Sequence, residues 1–275
     1  MDINTVTCLS FSPTGTTKII VEHISQGIEA ERIEMVDCSK RSYRKRFGSF
    51  RKDDLLILAA PVYYGRIPEE ILPYFAALKG SQTPAIPVVV YGNREYDDAL
   101  KELFDTALAG GFVPVAAGAF IAQHTYSDLD RPIAEGRPDK GDLKQAKTFG
   151  GNIRRKLGSA GNVDEAALST VPGNVPYLNP VNLNLIKEAR KSIPLTPETD
   201  PELCNECGQC MEGCPAEAVS LNDTVTTDRW RCMICFACIK NCPTGARQMK
   251  DENFKNAIIQ MYDFCRERKE PEVFL

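Results

Sequence analysis

Cys204-Asn205-Glu206-Cys207-Gly208-Gln209-Cys210-Met211-Glu212-Gly213-Cys214-Pro215 returns 28 residues later as Cys232-Met233-Ile234-Cys235-Phe236-Ala237-Cys238-Ile239-Lys240-Asn241-Cys242-Pro243. Each copy reads C-x2-C-x2-C-x3-C-P, and together they hold eight of the 11 cysteines in a chain of 275 residues. The opening Met1-Asp2-Ile3-Asn4 lacks the basic start and apolar core of an export signal. A reducing compartment is therefore expected, in which such a repeat is read as metal binding and not as a disulfide framework. Structural zinc prefers paired C-x2-C hooks with a longer stretch between them, a poor description of four cysteines crowded into each copy.

The repeat resembles the two-cluster bacterial ferredoxins over residues 198–250. Three thiolates two residues apart wrap a loop around three irons of a cube, and the fourth, beginning the next helix, points away. In that family the fourth cysteine ligates the other cluster. The resemblance therefore implies one 4Fe–4S cluster on Cys204, Cys207, Cys210 and Cys242, and a second on Cys232, Cys235, Cys238 and Cys214. Asn205, Gly208, Thr244 and Gly245 suit amide hydrogen bonds to sulfur, and the prolines direct the chain out of each loop. Cys8, Cys38 and Cys265 have no metal-like spacing and read as small buried hydrophobes.

Upstream, residues 1–157 alternate short apolar runs with helical patterns, which predicts a parallel α/β sheet. Strands are expected at Thr5–Phe11, Arg32–Val36, Leu55–Ala60, Ile86–Tyr91 and Phe112–Ile121. Helices are expected near Thr17–Ala30, Pro68–Leu78, Asp97–Ala109 and Asp142–Leu157. A doubly wound sheet of this kind binds its ligand beyond the carboxyl ends of its strands. The first such end carries Ser12, Thr14, Gly15, Thr16 and Thr17 ahead of a helix, a cradle of hydroxyls and amides suited to a phosphate monoester. It has neither the G-K-[ST] of a P-loop nor the three glycines of a dinucleotide fold. Without a ligand the same residues would serve as a turn and N-cap.

The next two strand ends carry Pro61, Val62, Tyr63, Tyr64 and Gly65, then Asn93, Arg94 and Tyr96. With the hydroxyl loop they resemble the flavodoxins, which bind FMN. That resemblance implies that Ser12 to Thr17 hold the phosphate and that the two later loops flank the flavin ring, although Tyr63 and Tyr64 also read as half-buried packing aromatics. His124, past the fifth strand, reads either as a flavin or partner contact or as a structural histidine. Lys40 to Lys52 holds seven basic residues, either a solvated face or a docking patch for an acidic redox partner. Residues 198–275 carry a net −5 against +1 for residues 1–197.

Residues 158–197, with Pro172, Pro176, Pro180, Pro194 and Pro197, read as an ordered linker with one helix near Asn182–Lys191, and residues 251–275 as a terminal helix. The 43% hydrophobic and 25% charged composition and net charge of −4 are those of a globular protein, and the longest uncharged apolar run is too short to span a bilayer. Neither nucleic acid nor membrane is expected as a partner, and the expected location is cytoplasmic. The whole resembles the flavodoxin–ferredoxin fusion proteins of anaerobes, often called the EFR1 family. The resemblance implies an α/β fold: a flavodoxin-like five-stranded doubly wound sheet, then a small α+β two-cluster ferredoxin-like domain. It further implies FMN and two 4Fe–4S clusters that relay electrons to an unidentified redox partner protein, with a homodimer left open. The alternative is an FMN-dependent oxidoreductase that reduces a small substrate and is fed by the clusters.

Overall fold

Leu55-Leu56-Ile57-Leu58-Ala59-Ala60 has no polar side chain, so it is stable as a strand only where both faces of the sheet are covered. The computed structural model, which describes residues 1, 3–44, 49–128, 130–178 and 195–275, puts it there. Strands β1 (Thr5–Ser10), β2 (Arg32–Asp37), β3 (Asp54–Pro61), β4 (Thr83–Tyr91), β5 (Phe112–Pro114) and β6 (Ala117–Ile121) build one parallel sheet. Its order is β2-β1-β3-β4-β6, with β5 beside the beginning of β4. Counting β5 and β6 as one interrupted strand, this is the flavodoxin-like order.

The interruption has a local cause. Ala85 pairs with Pro114 and Val88 with Gly118, so two residues of β4 face three across the gap. Pro87 and Pro114 flank that gap, and neither has an N–H to offer a ladder. The helix expected at Pro68–Leu78 is likewise trimmed to α2 (Leu72–Ala76), because Pro73 has no N–H to donate to the carbonyl of Glu69.

Helices α1 (Thr16–Ile28) and α4 (Lys140–Ser159) cover one face of the sheet, where Ile20, Ile24, Phe120, Phe149 and Ile153 form a core. Helix α3 (Ala99–Ala109) lies with α2 on the other face, burying Phe75, Leu100, Leu103 and Phe104. The linker starts with a short helix, α5 (Val163–Ala166), then runs beside α3: Leu178 N and Asn174 N donate to Asp98 at 2.6 and 2.9 Å, and Tyr177 Oη to Asp105 at 2.8 Å. The helix expected at Asn182–Lys191, with Pro180, Pro194, Lys45 and Arg46, lies outside the described residues.

The cysteine-rich part folds as two small pieces of the same kind. β7 (Glu198–Thr199) pairs with β10 (Arg247–Gln248), and β8 (Val219–Leu221) with β9 (Val225–Thr227). One-turn helices α6 (Gln209–Glu212) and α7 (Ala237–Lys240) carry the third cysteine of each copy. The repeat is also written into the backbone. Left-handed residues recur at the same offset in the pairs Glu206 and Ile234, Gly208 and Phe236, and Glu217 and Gly245.

Residues after Asp251 form α8 (Glu252–Cys265), and then, beyond the helix that sequence predicts, β11 (Glu272–Phe274), which adds antiparallel to β6. This segment is held by buried polar groups. Arg137 and the wholly buried Asp142 pair, with Nε to Oδ2 at 2.8 Å, while Arg137 Nη1 donates to the carbonyl of Lys269 at 2.7 Å. Ala216, Ala218, Met233, Cys235 and Ala237 belong to the same apolar core as α2 and α3. Among the described residues no helix is long and apolar enough to cross a membrane.

Candidate functional site

At the carboxyl end of β1 the chain turns into α1 through Gly15, whose φ of +88° is reached without strain by glycine alone. Nothing lies within 4 Å of where its Cβ would be, so the turn is open on that side. Among the described residues the amides of Thr14, Thr16 and Thr17 have no acceptor, and they stand at the positive end of α1. Ser12 is fixed from both directions: its N–H donates to Ser39 Oγ at 2.6 Å, and its Oγ accepts from Lys18 N at 3.0 Å, leaving the hydroxyl proton to give. Unpartnered amides, a free hydroxyl and an open turn at a helix N-terminus fit a phosphate. Ser39, on the loop after β2, is a supporting residue with no sequence signal of its own.

Beyond β3, Tyr63 and Arg66 exchange backbone hydrogen bonds at 3.0 and 3.1 Å across a two-residue turn, with Tyr64 and Gly65 both at positive φ. Val62 N donates to Val90 O at 3.0 Å, which ties this loop, continuous with Pro61, to β4. Arg66 holds the turn from below through Glu102, which it meets at 2.6 and 3.0 Å.

The loop after β4 is tied to the end of the chain. Asn93, 1% exposed, donates to the carbonyls of Cys265 and Glu267 at 2.6 and 2.7 Å and accepts from Lys269 N at 3.2 Å. Tyr96 Oη donates to Glu272 at 2.9 Å, and Arg94 pairs with Asp97 while its carbonyl accepts from Lys269 Nζ. The polar groups of Asn93 and Tyr96 and the carbonyl of Arg94 thus hold the last residues of the chain. A cleft of about 330 Å³ beside this loop is lined by Glu95, Asp97, Asp98 and Glu272, and four carboxylates make it unsuited to a phosphate.

Tyr126 faces the Tyr63–Tyr64 turn, and His124 packs against the Tyr126 ring at 4.9 Å. Gly92 packs so closely on His124 that a Cβ there would lie 2.2 Å from its Cδ2. Burial, then the nearby cations Arg94 and Lys240, push the imidazole down to about 4 from its ordinary 6.5. It is neutral, and its Nδ1 accepts from Tyr126 N at 3.1 Å, so it is a packing residue and not a proton donor at neutral pH. On unfolding its pKa returns upward. Its contribution to stability is therefore whole above about pH 6.5 and is lost as pH falls toward 4. Between pH 6.5 and 5 urea titrations should lose about 2 kcal/mol more in the wild type than in His124→Gln.

Tyr126 reaches across to the cysteine repeat. Its Oη donates to the carbonyl of Ile234 at 3.2 Å, and its ring packs on Phe236 and Phe254 at 4.7 and 4.9 Å. Lys240 Nζ donates to Ser127 O at 3.1 Å, and Lys40 and Arg41 of the basic run meet Glu212 and Glu217 at 3.0 and 3.8 Å. The start of that run thus meets the acidic half of its own chain.

Cys232, Cys235 and Cys238 line a small cavity together with Cys214 from the other copy. Ala218 N donates to Cys214 Sγ at 3.2 Å, the kind of amide–sulfur contact that suits an anionic cluster. Among the described residues no three His, Cys, Asp or Glu side chains converge on a single-ion site. Of the other four, Cys207 is exposed, Cys204 and Cys242 are half-buried and Cys210 is buried. Despite the cost of burial, backbone amides of Arg247, Thr244 and Ala246 hold the Cys242 thiol below its ordinary range. Burial raises Cys8 and Cys38 to about 12, so both are protonated and inert.

These features define a redox protein in which a flavodoxin-like sheet is joined to an iron–sulfur module. The sequence family described as "4Fe-4S dicluster domain" matches residues 196–243. Among solved structures the chain is similar to a flavodoxin from the domain Archaea, at 16% identity and a TM-score of 0.40 over 56% of this chain and 99% of that one. It is also similar to a Fusobacterium nucleatum flavodoxin bound to flavin mononucleotide, at 12% identity and a TM-score of 0.35 over 56% and 96%. The fold assignment rests on the strand order and not on these scores. No curated protein matches the chain.

Proposed function

We propose that this chain is an electron-transfer protein of the flavodoxin–ferredoxin fusion type, the EFR1 family, carrying FMN and two 4Fe–4S clusters. Ser12, Thr14, Gly15, Thr16 and Thr17 would hold the flavin phosphate, and Pro61 to Gly65 would border its ring. The eight cysteines would hold the clusters, in one inner quartet (Cys214, Cys232, Cys235, Cys238) and one outer quartet (Cys204, Cys207, Cys210, Cys242). When bound, a flavin exchanges one or two electrons and each cluster exchanges one, so the set converts between paired and single electrons.

The observation that carries this reading is the contact between the inner quartet's loop and the crevice of the sheet. Tyr126 bonds Ile234, between two of the inner cysteines, and Cys235 shares a core with Val62 and Tyr63. The other quartet is the one with an exposed thiol, at Cys207. This gradient supports an ordered relay: an external one-electron redox protein, the outer cluster, the inner cluster, then the flavin, or the reverse. The residues would hold the groups in order and tune their potentials through charge and hydrogen bonds. The alternative of a small-substrate reductase needs an acid–base group over the ring, and the neutral, engaged His124 does not favour it.

Anaerobic purification, iron and flavin assay and rapid-mixing spectroscopy test the proposal. About eight irons and one FMN per chain are expected, with electrons given to the clusters appearing on the flavin within the mixing experiment. Material with clusters but no flavin, or with both and no transfer between them, would overturn it.

A further inference from the structure

Arg247 is 2% exposed, and a guanidinium removed from water costs several kcal/mol unless something negative compensates it. Its Nη1 donates to Thr199 Oγ1 at 2.6 Å, and its Nη2 to Thr227 Oγ1 at 2.5 Å and to the carbonyl of Pro197 at 3.0 Å. All three are neutral. Among the described residues no carboxylate lies within ion-pair distance of it, and its buried Nε–H has no acceptor. What it does face is sulfur. Nη2 is 3.7 Å from Cys238 Sγ, and its charge also acts on Cys210, a member of the outer quartet. A buried cation with an orphaned donor, set among neutral oxygens and thiols, has its counter-charge in whatever the thiols bind.

We propose that Arg247 is the fixed counter-cation of the inner cluster, a positioning residue that raises that cluster's reduction potential above that of the outer one. The inference rests on the reading that the quartets hold 4Fe–4S clusters. Such a cluster with four thiolates is anionic and gains one negative charge on reduction, so a nearby cation stabilises the reduced form more than the oxidised form. The closer contact, to Cys238, puts the larger effect on the inner cluster. Thr199 and Thr227 aim the guanidinium from strands outside the ligand loops, so its place does not depend on the loops alone.

The test is an EPR-monitored redox titration of the full-length protein, anaerobically reconstituted, as wild type, Arg247→Lys and Arg247→Gln. The inner cluster is identified by its signal in Cys207→Ala protein, which retains only the inner quartet complete. In Arg247→Gln the reduction equilibrium of the inner cluster should fall roughly tenfold, or ~59 mV for one electron, with the outer cluster moving less. Arg247→Lys, which keeps the charge, should recover most of the difference, which a purely structural role would not predict. Full iron in Arg247→Gln with both potentials unmoved overturns the inference. Should that variant lose iron, pulsed EPR on wild-type protein labelled with guanidino-15N arginine replaces it: a resolved nitrogen coupling to the reduced inner cluster is expected, and its absence overturns the inference. Wild-type protein without iron would instead defeat the cluster reading beneath it.

Discussion

Alanine at Cys214 is expected to remove the cluster of the other copy of the motif, not of its own. Cys214 closes the first C-x2-C-x2-C-x3-C run, yet the cavity it lines is shared with Cys232, Cys235 and Cys238. If those four form one ligand set, Cys214→Ala and Cys235→Ala should each lose about four of about eight irons and leave the same residual EPR signal. Cys242→Ala and Cys207→Ala should leave the complementary one. Pairing within each copy predicts the opposite grouping, with Cys214→Ala resembling Cys207→Ala, and finding that grouping would sink the crossed assignment. The sheet should survive either loss, since most of the core that Leu9, Phe11, Leu58 and Val89 share with α2 and α3 is aliphatic and aromatic, with Cys235 at its border. Far-ultraviolet circular dichroism of each variant checks that point.

Gly150→Ala should be the most damaging single methyl group in the sheet half. Helices α1 and α4 cross backbone to backbone. A Cβ on Gly150 would lie 2.0 Å from the carbonyl oxygen of Ile24, and one on Gly27 would lie 2.0 Å from that of Lys147. Neither obstacle is a flexible side chain that can swing aside, so the two helices must separate along a seam that also packs Ile20, Phe149 and Ile153. Overpacking of this kind costs about 3 kcal/mol, a large share of the roughly 5–15 kcal/mol that holds a domain folded. The midpoint of thermal unfolding should fall by roughly 6–12 °C. Gly158→Ala is the matched control. It lies in the same helix with nothing within 4 Å of the added Cβ, so it should be neutral or slightly stabilising. Equal midpoints for the two variants would refute the close crossing.

The hydroxyl turn and the doubled cysteine run were legible because their patterns are local. The first three cysteines of each run, and the strand, turn and helix start of Ser12 to Thr17, lie within a dozen residues, where chain geometry alone brings the groups together. The left-handed conformations at Glu206, Ile234 and Phe236 were not legible, since non-glycine side chains disfavour them. The polar partners of the loop after β4 were not legible for a different reason. Asn93 looks available until Cys265, Glu267 and Lys269 return to it from more than 170 residues away.

Residue order therefore settled the alternation of strands and helices, the phosphate-type turn and the doubled cysteine spacing, each a property of neighbours along the chain. Folding in three dimensions decided that Cys214 lines a cavity with Cys232, Cys235 and Cys238, that Lys40 and Arg41 find Glu212 and Glu217, that β11 closes the sheet beside β6, and that Arg247 ends up buried beside Cys238. Those outcomes depend on partners far apart in the chain, matched by shape, charge and burial, and no periodicity within a single segment encodes them.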